Sequence, residues 1–335
     1  MSLLAINHHY VSAERPAEPR AIFPIAVADF EAELDELARA YEFVSRDDVV
    51  AAVAGERTLP EHACLITFDD GLRSQLELAV PVLERLRIPF ALFICGRPLA
   101  ERRALHVHKI HALREELHDE ELLLLVRAEL DRLGIAVEDL PERAAARYRY
   151  DGPAAAQVKF LVDVALSGEA RERFVDELFG RFFDEAAFCR ELFLTADEVA
   201  ALERTHRAIG AHSYDHGYLA HLDDRALARD LGRNAAALRA ATGVAPVAIS
   251  YPYGTPLAVS CRVGRAAEAA GFRFGLTMER ALNLDLVDPL LLARIDTNDG
   301  PTGSHPLLSI EAGRPVYSDE MARGREPGRH ELEPA

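Results

Sequence analysis

The chain has 335 residues, 49% of them hydrophobic, which is enough to bury a large core and fits the size of a single α/β barrel. Its 38 basic and 55 acidic side chains give a formal net charge of -17, which would repel phosphate backbones and argues against a nucleic-acid partner. We see neither a transmembrane segment nor a secretory signal in the sequence. Four cysteines without C-x-x-C spacing are expected to be reduced thiols of a cytoplasmic protein: Cys64, Cys95, Cys189 and Cys261.

The first predicted strand lies at the start of the chain. Residues 3–6 are apolar, and Asn7, His8 and His9 follow them. Imidazole is the side chain best suited to donating a proton near neutral pH, whereas a histidine this close to a terminus can also be merely exposed. After a loop over residues 16–24, apolar side chains at helical spacing over residues 30–41 predict the first helix.

A second apolar strand, residues 65–68, ends in the carboxylates of Asp69 and Asp70 and in Gly71. Adjacent carboxylates repel each other and lose hydration at a buried strand end, so they need a cation or hydrogen-bond donors nearby. Successive side chains on a strand point to opposite sides, which would let one carboxylate bind a metal and the other act as a base. An ordinary Asp-Asp-Gly turn is the alternative.

The segments that follow alternate between helix and strand. A helix is predicted over residues 75–86 and a fully apolar strand over 90–94, a pattern typical of parallel α/β architecture. Residues 97–194 are instead rich in helix formers, and we expect a helical insertion over or beside the barrel mouth rather than an independent domain. The charged tail, residues 318–335, is expected to be disordered. One leucine stripe is expected in the core of the insertion: Leu113, Leu117, Leu124 and Leu130.

After a helix capped by Thr195, the chain carries His212 and His216 at the end of an apolar-glycine strand. On a helical turn this spacing places both imidazoles on one face, where they can share one divalent ion. Histidine with carboxylate oxygen suits zinc, and also iron, manganese, cobalt or nickel. A further strand ends in Tyr251, Pro252 and Tyr253, whose rings and free backbone N–H groups suit the wall of an oxyanion site, with an ordinary loop as the alternative.

These motifs, taken together and in this order, resemble those of the polysaccharide deacetylase family, also called the NodB-homology or carbohydrate esterase 4 family. The resemblance spans about residues 4–299 and implies a deformed (β/α) barrel with its site at the carboxyl ends of the strands. It also implies that Asp70, His212 and His216 bind one divalent ion, with zinc as the first choice, and that Asp69 is the base. The motifs are Thr67-Phe68-Asp69-Asp70-Gly71, His212-Ser213-x-x-His216 and Tyr251-Pro252-Tyr253-Gly254.

The chain departs from the family pattern at two points. Ser250 stands where the commonest third motif has an arginine that orients the base; Arg294 could replace it, or could be a surface arginine. The late leucine-histidine motif that supplies the general acid is also missing. The first strand resembles the Tyr-His start of deacetylases whose acid-bearing strand lies at the N-terminus, which aligns His9 with the acid.

We therefore expect a metal-dependent N-deacetylase that acts on an N-acylated amino sugar, an intermediate of surface-glycan or glycoconjugate biosynthesis. Asp69 would be the base, His9 the acid and Arg294 the orienting group. The alternatives are a deformylase or amidase acting on a small or nucleotide- or lipid-linked amide, an O-deacetylase, and a catalytically silent carbohydrate-binding relative. A homo-oligomer is compatible with the sequence.

Overall fold

The computed structural model describes residues 1–148, 151–166 and 168–324. They divide into two compact units. The barrel unit comprises Met1–Pro16, Pro24–Arg102 and the described residues from Arg190 onward. The helical unit comprises Ala17–Phe23 and the described residues of Arg103–Cys189.

The strands lie in the barrel unit, and eight of them build one parallel sheet. Seven follow the order β10-β1-β5-β6-β7-β8-β9, and β4 pairs with the start of β5. This curled parallel half-barrel confirms the predicted α/β fold. Over the described residues the strands are β1 (Ser2–His8), β2 (Val11–Ser12), β3 (Ile25–Ala26), β4 (Glu42–Phe43), β5 (His62–Phe68), β6 (Phe90–Ile94), β7 (Ile209–Ala211), β8 (Ala248–Ser250), β9 (Phe274–Leu276), β10 (Ile295–Asp296), β11 (Leu308–Glu311) and β12 (Arg314–Tyr317).

The central strands are buried on both faces, as expected of a parallel sheet covered by helices. Every residue of β1 and β6 is buried, and β5 is buried from Ala63 to Phe68. β1 pairs with β5 along its whole length, from Ser2 beside His62 to His8 beside Phe68. Because the strands are parallel, the residues that follow them meet at one edge of the sheet, and this edge carries the candidate site.

Helices surround the sheet or form the helical unit. Their bounds in the described residues are α1 (Val27–Leu37), α2 (Arg46–Val53), α3 (Val80–Leu86), α4 (Gly96–Glu101), α5 (His106–Glu116), α6 (Asp119–Leu133), α7 (Leu140–Arg147), α8 (Pro153–Phe160), α9 (Gly168–Phe179), α10 (Glu185–Leu192), α11 (Ala196–His206), α12 (Asp224–Thr242), α13 (Cys261–Ala269) and α14 (Asp319–Ala322). None of the helices in this part of the chain has the length and apolar composition needed to cross a membrane.

Local sequence explains where several helices begin. Thr195 accepts a hydrogen bond from the Glu198 backbone in a capping box, which confirms the predicted cap of α11. The helix predicted over residues 75–86 is divided into a π-helical stretch, Gln75–Ala79, and α3. Pro81 has no N–H to donate to the carbonyl of Glu77, four positions earlier. The α-helical hydrogen-bond pattern is therefore interrupted there, which accounts for the break.

The helical unit has its own apolar core, and its bounds differ from the predicted 97–194 because residues 97–102 and 190–194 group with the barrel unit. Leu113 and Leu130 are buried as predicted, but Leu124 is 70% exposed. The prediction for Leu124 was wrong because α6 buries Leu122 and Val126, and Leu124 lies half a turn away from both.

The predicted disordered tail is corrected over its first residues. Residues 319–322 form α14, which Ser318 caps and which buries Met321. Residues 325–335 lie outside the described residues. The charged composition of this segment gave no indication that Met321 packs into the main hydrophobic core.

Candidate metal centre and active site

Three side chains at the sheet edge form a candidate metal centre. Asp70 follows β5, and His212 and His216 follow β7. One ligand atom from each lies within 4.8 Å of the other two, and all three residues are buried. Asp70 Oδ1 lies 3.5 Å from Nε2 of each histidine. One carboxylate and two imidazoles form a donor set that fits zinc or another first-row divalent ion.

The ring of His212 is oriented by the strand next to it. Its Nδ1 lies 2.8 Å from the carbonyl oxygen of Ser250. Because a carbonyl oxygen only accepts, Nδ1 carries the hydrogen and donates it, which leaves the lone pair of Nε2 directed toward Asp70. This is the arrangement in which a histidine is ready to bind a metal.

The segment from His212 to His216 is a loop that follows β7. Ser213 and His216 both have left-handed backbone angles, with φ of 57° and 54°. The Ser213 hydroxyl accepts a hydrogen bond of 2.9 Å from the backbone N–H of His216. The loop therefore brings the two rings together, with centroids 5.1 Å apart, by turn geometry rather than helical periodicity.

Asp230, on α12, fastens the same loop. Its carboxylate accepts hydrogen bonds from the backbone N–H groups of Tyr214 at 3.0 Å and Asp215 at 3.3 Å. Burial raises the pKa of Asp230 to about 6, although these two bonds act in the opposite direction. The backbone between the two histidines is thus held by a carboxylate that lies outside the sequence motifs.

Arg294 lies just before β10 and contacts the other carboxylate of the pair. Its Nη1 and Nη2 donate to Asp69 Oδ1 at 2.9 Å and to Oδ2 at 2.7 Å. Nη2 also donates to the Ser250 hydroxyl at 2.7 Å, and that hydroxyl donates to Asp69 Oδ2 at 3.1 Å. Arg294 is fully buried, so the surface alternative is wrong for this residue. The small side chain of Ser250 is compatible with a guanidinium arriving from a different strand.

The charge of Asp69 follows from these neighbours. Burial alone would raise its pKa, but the guanidinium of Arg294, with smaller effects from His212 and His9, lowers the pKa to about 2. Asp69 Oδ2 also lies 3.8 Å from His212 Nε2, so Asp69 borders the candidate metal centre. The carboxylate is therefore ionised at neutral pH.

His9 follows β1 and lies close enough to Asp69 for its charge to lower the pKa of that carboxyl. Its ring nitrogen Nδ1 is 3.5 Å from Asn7 Nδ2. The Gln75 amide nitrogen donates to the backbone oxygens of His9 at 2.9 Å and Asp69 at 2.6 Å. Asp69 and Arg294 are thus in direct contact, and Gln75, which lies outside the sequence motifs, links the backbones of His9 and Asp69.

The third motif divides into two parts. Tyr251 was predicted in the wall of the site, but its ring is buried and its hydroxyl donates to the Leu290 carbonyl at 2.8 Å. This prediction was wrong because Ser250 faces Asp69, and the next side chain along a strand points to the other side. Pro252 is buried. Tyr253, with a φ of 61°, lies beside His216 at a centroid distance of 5.1 Å and stacks on Tyr218 at 4.1 Å.

Sequence reasoning missed four polar residues that complete the site. Thr67 accepts a hydrogen bond from Arg294, as does Asn7, and each lies two positions before a predicted site residue on the same strand face. That period-two spacing was the available signal for both. Gln75 and Asp230 lie on helices and carried no such signal.

A search of curated proteins found no match. Residues 174–275 match the family model described as polysaccharide deacetylase. The resemblance to polysaccharide deacetylases is confirmed. The matched segment includes His212, His216 and the turn at residues 251–254, and it excludes Asp69 and Arg294.

Solved structures of deacetylases share the fold. The Streptococcus pyogenes deacetylase PplD, solved in complex with acetate, is 13% identical with a TM-score of 0.54, over 88% of this chain and 92% of that one. A de-N-acetylase from Aggregatibacter actinomycetemcomitans is 16% identical with a TM-score of 0.53, over 89% and 96%. The BpsB deacetylase domain from Bordetella bronchiseptica is 14% identical with a TM-score of 0.52, over 88% and 95%.

Proposed function

We propose that the protein is a metal-dependent N-deacetylase that hydrolyses the acetyl amide of an amino sugar. The family match supports a deacetylase that acts on a polysaccharide or amino sugar. The observation that carries the finer proposal is the position of Asp69, which bonds to Arg294 on one side and borders the Asp70, His212 and His216 cluster on the other.

Asp70, His212 and His216 would hold the ion, with zinc first and iron, manganese, cobalt or nickel as alternatives. When bound, a divalent ion would lower the pKa of a water molecule and polarise the acyl carbonyl. The hydrogen bond from His212 Nδ1 to the Ser250 carbonyl orients that imidazole before any ion binds, and the bond from the His216 backbone N–H to the Ser213 hydroxyl fixes the backbone that carries the second one.

Asp69 would accept the proton of the attacking water at one carboxylate oxygen. Arg294 keeps this carboxylate ionised and restricts its rotation through two parallel hydrogen bonds. His9 would donate a proton to the departing amine, since imidazole can hold and release a proton near neutral pH. The backbone N–H of Tyr253 would donate to the oxyanion, whereas the Tyr251 hydroxyl is occupied by the Leu290 carbonyl.

Two parts of the proposal concern the setting of the reaction. A sugar intermediate of surface-glycan or glycoconjugate biosynthesis remains the proposed substrate class, and the cytoplasmic location and homo-oligomer stay predictions. An O-deacetylase would use the same groups, because an ester needs less help from the acid than an amide does. A small-amide hydrolase and a silent carbohydrate-binding relative are the remaining alternatives.

The test compares N-acetylated and O-acetylated sugars side by side with the zinc-loaded protein. We expect acetate and free amine to appear in equal amounts from N-acetylglucosamine oligomers. Release from only the O-acetylated sugar would replace the proposal with an esterase. Tight zinc binding without any acetate release would favour the silent carbohydrate-binding relative.

A further inference from the structure

The first histidine of the N-terminal pair, His8, has no part in the proposed chemistry, yet it is fully buried in a polar network. Its Nε2 lies 2.7 Å from Glu33 Oε2, and both residues have an exposed fraction of 0%. The hydroxyl of Thr297 donates to both oxygens of Glu33, at 3.1 and 3.0 Å. We infer that Glu33 is a positioning residue that fixes the strand ends carrying His9, Asp69 and Arg294, an inference that rests on the proposed function.

The protonation of the network follows from its acceptors. His8 Nδ1 lies 3.2 Å from the carbonyl oxygen of Thr67, which can only accept, so Nδ1 carries a hydrogen. The contact between His8 Nε2 and Glu33 then holds one further proton between imidazole and carboxyl. Each of these ring and carboxyl atoms has a partner, which a buried polar group needs to avoid a large desolvation penalty.

The network touches three strands where each delivers a group to the site. His8 ends β1 directly before His9. Its ring bonds to the Thr67 carbonyl of β5, and its own carbonyl accepts the backbone N–H of Asp69 at 3.1 Å. Thr297 follows β10, three positions after Arg294. Glu33, on α1, therefore bonds directly to the segments that carry the acid and the orienting guanidinium, and it reaches the segment that carries the base through the His8 ring.

Two features indicate that the position of Glu33 is tightly specified. A Cβ added at Gly300 would lie 2.4 Å from Glu33 Oε1, so a side chain at this position of the loop after β10 would displace the Glu33 carboxylate. The rings of Phe30 and Phe68 each lie 5.1 Å from the His8 ring and enclose the pair. A buried ion pair adds little net stability, because the desolvation of its two charges offsets their attraction. Such a pair can instead serve to fix one arrangement of the strands.

The test measures kcat, KM and zinc affinity for Glu33→Leu and Glu33→Gln in the zinc-loaded protein. Leucine removes the hydrogen bonds to His8 and to Thr297, and we expect kcat to fall about 100-fold with zinc affinity unchanged, since small misplacements of catalytic groups cost that much. Glutamine can donate to His8 and accept from Thr297, so we expect it to retain kcat within about threefold. An unchanged kcat in Glu33→Leu would overturn the inference.

A matched control separates positioning from general loss of stability. Glu203 forms a buried pair with Arg46 and accepts the backbone N–H of Ile209 at the amino end of β7, away from the strand ends that carry the site. Glu203→Leu should destabilise the fold comparably and leave kcat unchanged. Equal losses of kcat in Glu33→Leu and Glu203→Leu would reduce Glu33 to a structural role.

Two further measurements keep the inference testable by itself. Thr297→Val removes one hydroxyl and should fold even if Glu33→Leu does not; we expect kcat to fall several-fold, and no change would contradict the network. Hydrogen exchange of the Asp69 amide in Glu33→Leu should be faster than in the wild type, while in Glu203→Leu it should not. If the wild type releases no acetate but this exchange pattern holds, the proposed function is wrong, whereas the inference that Glu33 fixes the strand ends is supported.

Discussion

Replacing Arg294 with methionine should remove the cation that holds the Asp69 carboxylate in the core. Arg294 donates five hydrogen bonds, two of them to Asp69, and is fully buried. Unit charges about 4 Å apart attract by about 4 kcal/mol at an effective dielectric constant of 20. Breaking a buried pair at one partner costs about 3–5 kcal/mol, because the other charge stays behind without compensation. We therefore expect the free energy of unfolding to fall by about that amount.

The assay is urea unfolding at pH 7 after chelator treatment, followed by far-UV circular dichroism. Arg15→Met is the matched control, because Arg15 makes a bidentate ion pair with Asp29 on the surface. An exposed pair of this kind contributes less than about 1 kcal/mol. Equal losses for Arg294→Met and Arg15→Met would refute the reasoning.

A double-mutant cycle isolates the charge pair from the lost packing. Asp69→Asn and Arg294→Met each leave one buried charge unpaired, whereas the double variant leaves none. The double variant should therefore lose about 2–3 kcal/mol less than the sum of the single variants. Strict additivity would mean that the two side chains do not interact.

Three further predictions concern the loop, the ligands and the third motif. Burial raises the pKa of Asp230 to about 6 from 3.8, so the folded state binds this proton more tightly than the unfolded state. That contribution is complete only below pH 3.8 and disappears as the pH rises through 6. Relative to Asp230→Asn, the wild type should lose about 2 kcal/mol of unfolding free energy between pH 4 and 7, and parallel pH profiles would contradict this. His216→Ala removes one imidazole from the candidate ligand set and should weaken zinc binding at least about 100-fold, as measured by calorimetry. His305→Ala is the control, because this histidine is exposed, and it should leave zinc binding unchanged. Gly254→Ala should lower the melting temperature, because φ is +57° and a Cβ would lie 2.4 Å from the Met278 nitrogen; an unchanged melting temperature would refute it.

Much of the barrel could be predicted from local sequence. The apolar run at residues 90–94 is observed as β6 with the same bounds, because a strand buried on both faces needs apolar residues throughout. The positions of the two carboxylates and the two histidines could likewise be predicted, since each pair follows a strand. Their convergence required parallel strands, which the strand and helix alternation indicated.

Other features depend on contacts between distant parts of the chain. Whether Arg294 was buried or exposed could not be decided locally, since its partner lies 225 positions earlier. The four-residue spacing of the histidines would bring the rings together on a helical turn, whereas in the structure the left-handed angles of Ser213 and His216 do so within a loop. The assignment of residues 17–23 to the helical unit had no signal in composition.

The central claim is that Asp69 acts as the base beside a metal held by Asp70, His212 and His216. The most direct measurement is acetate release from an N-acetylated amino sugar by zinc-loaded Asp69→Asn and wild type, with bound zinc quantified in both. We predict that both proteins bind one zinc ion and that the variant is at least about 100-fold slower, as expected for loss of a general base. Wild-type turnover in a zinc-loaded Asp69→Asn protein would contradict the account.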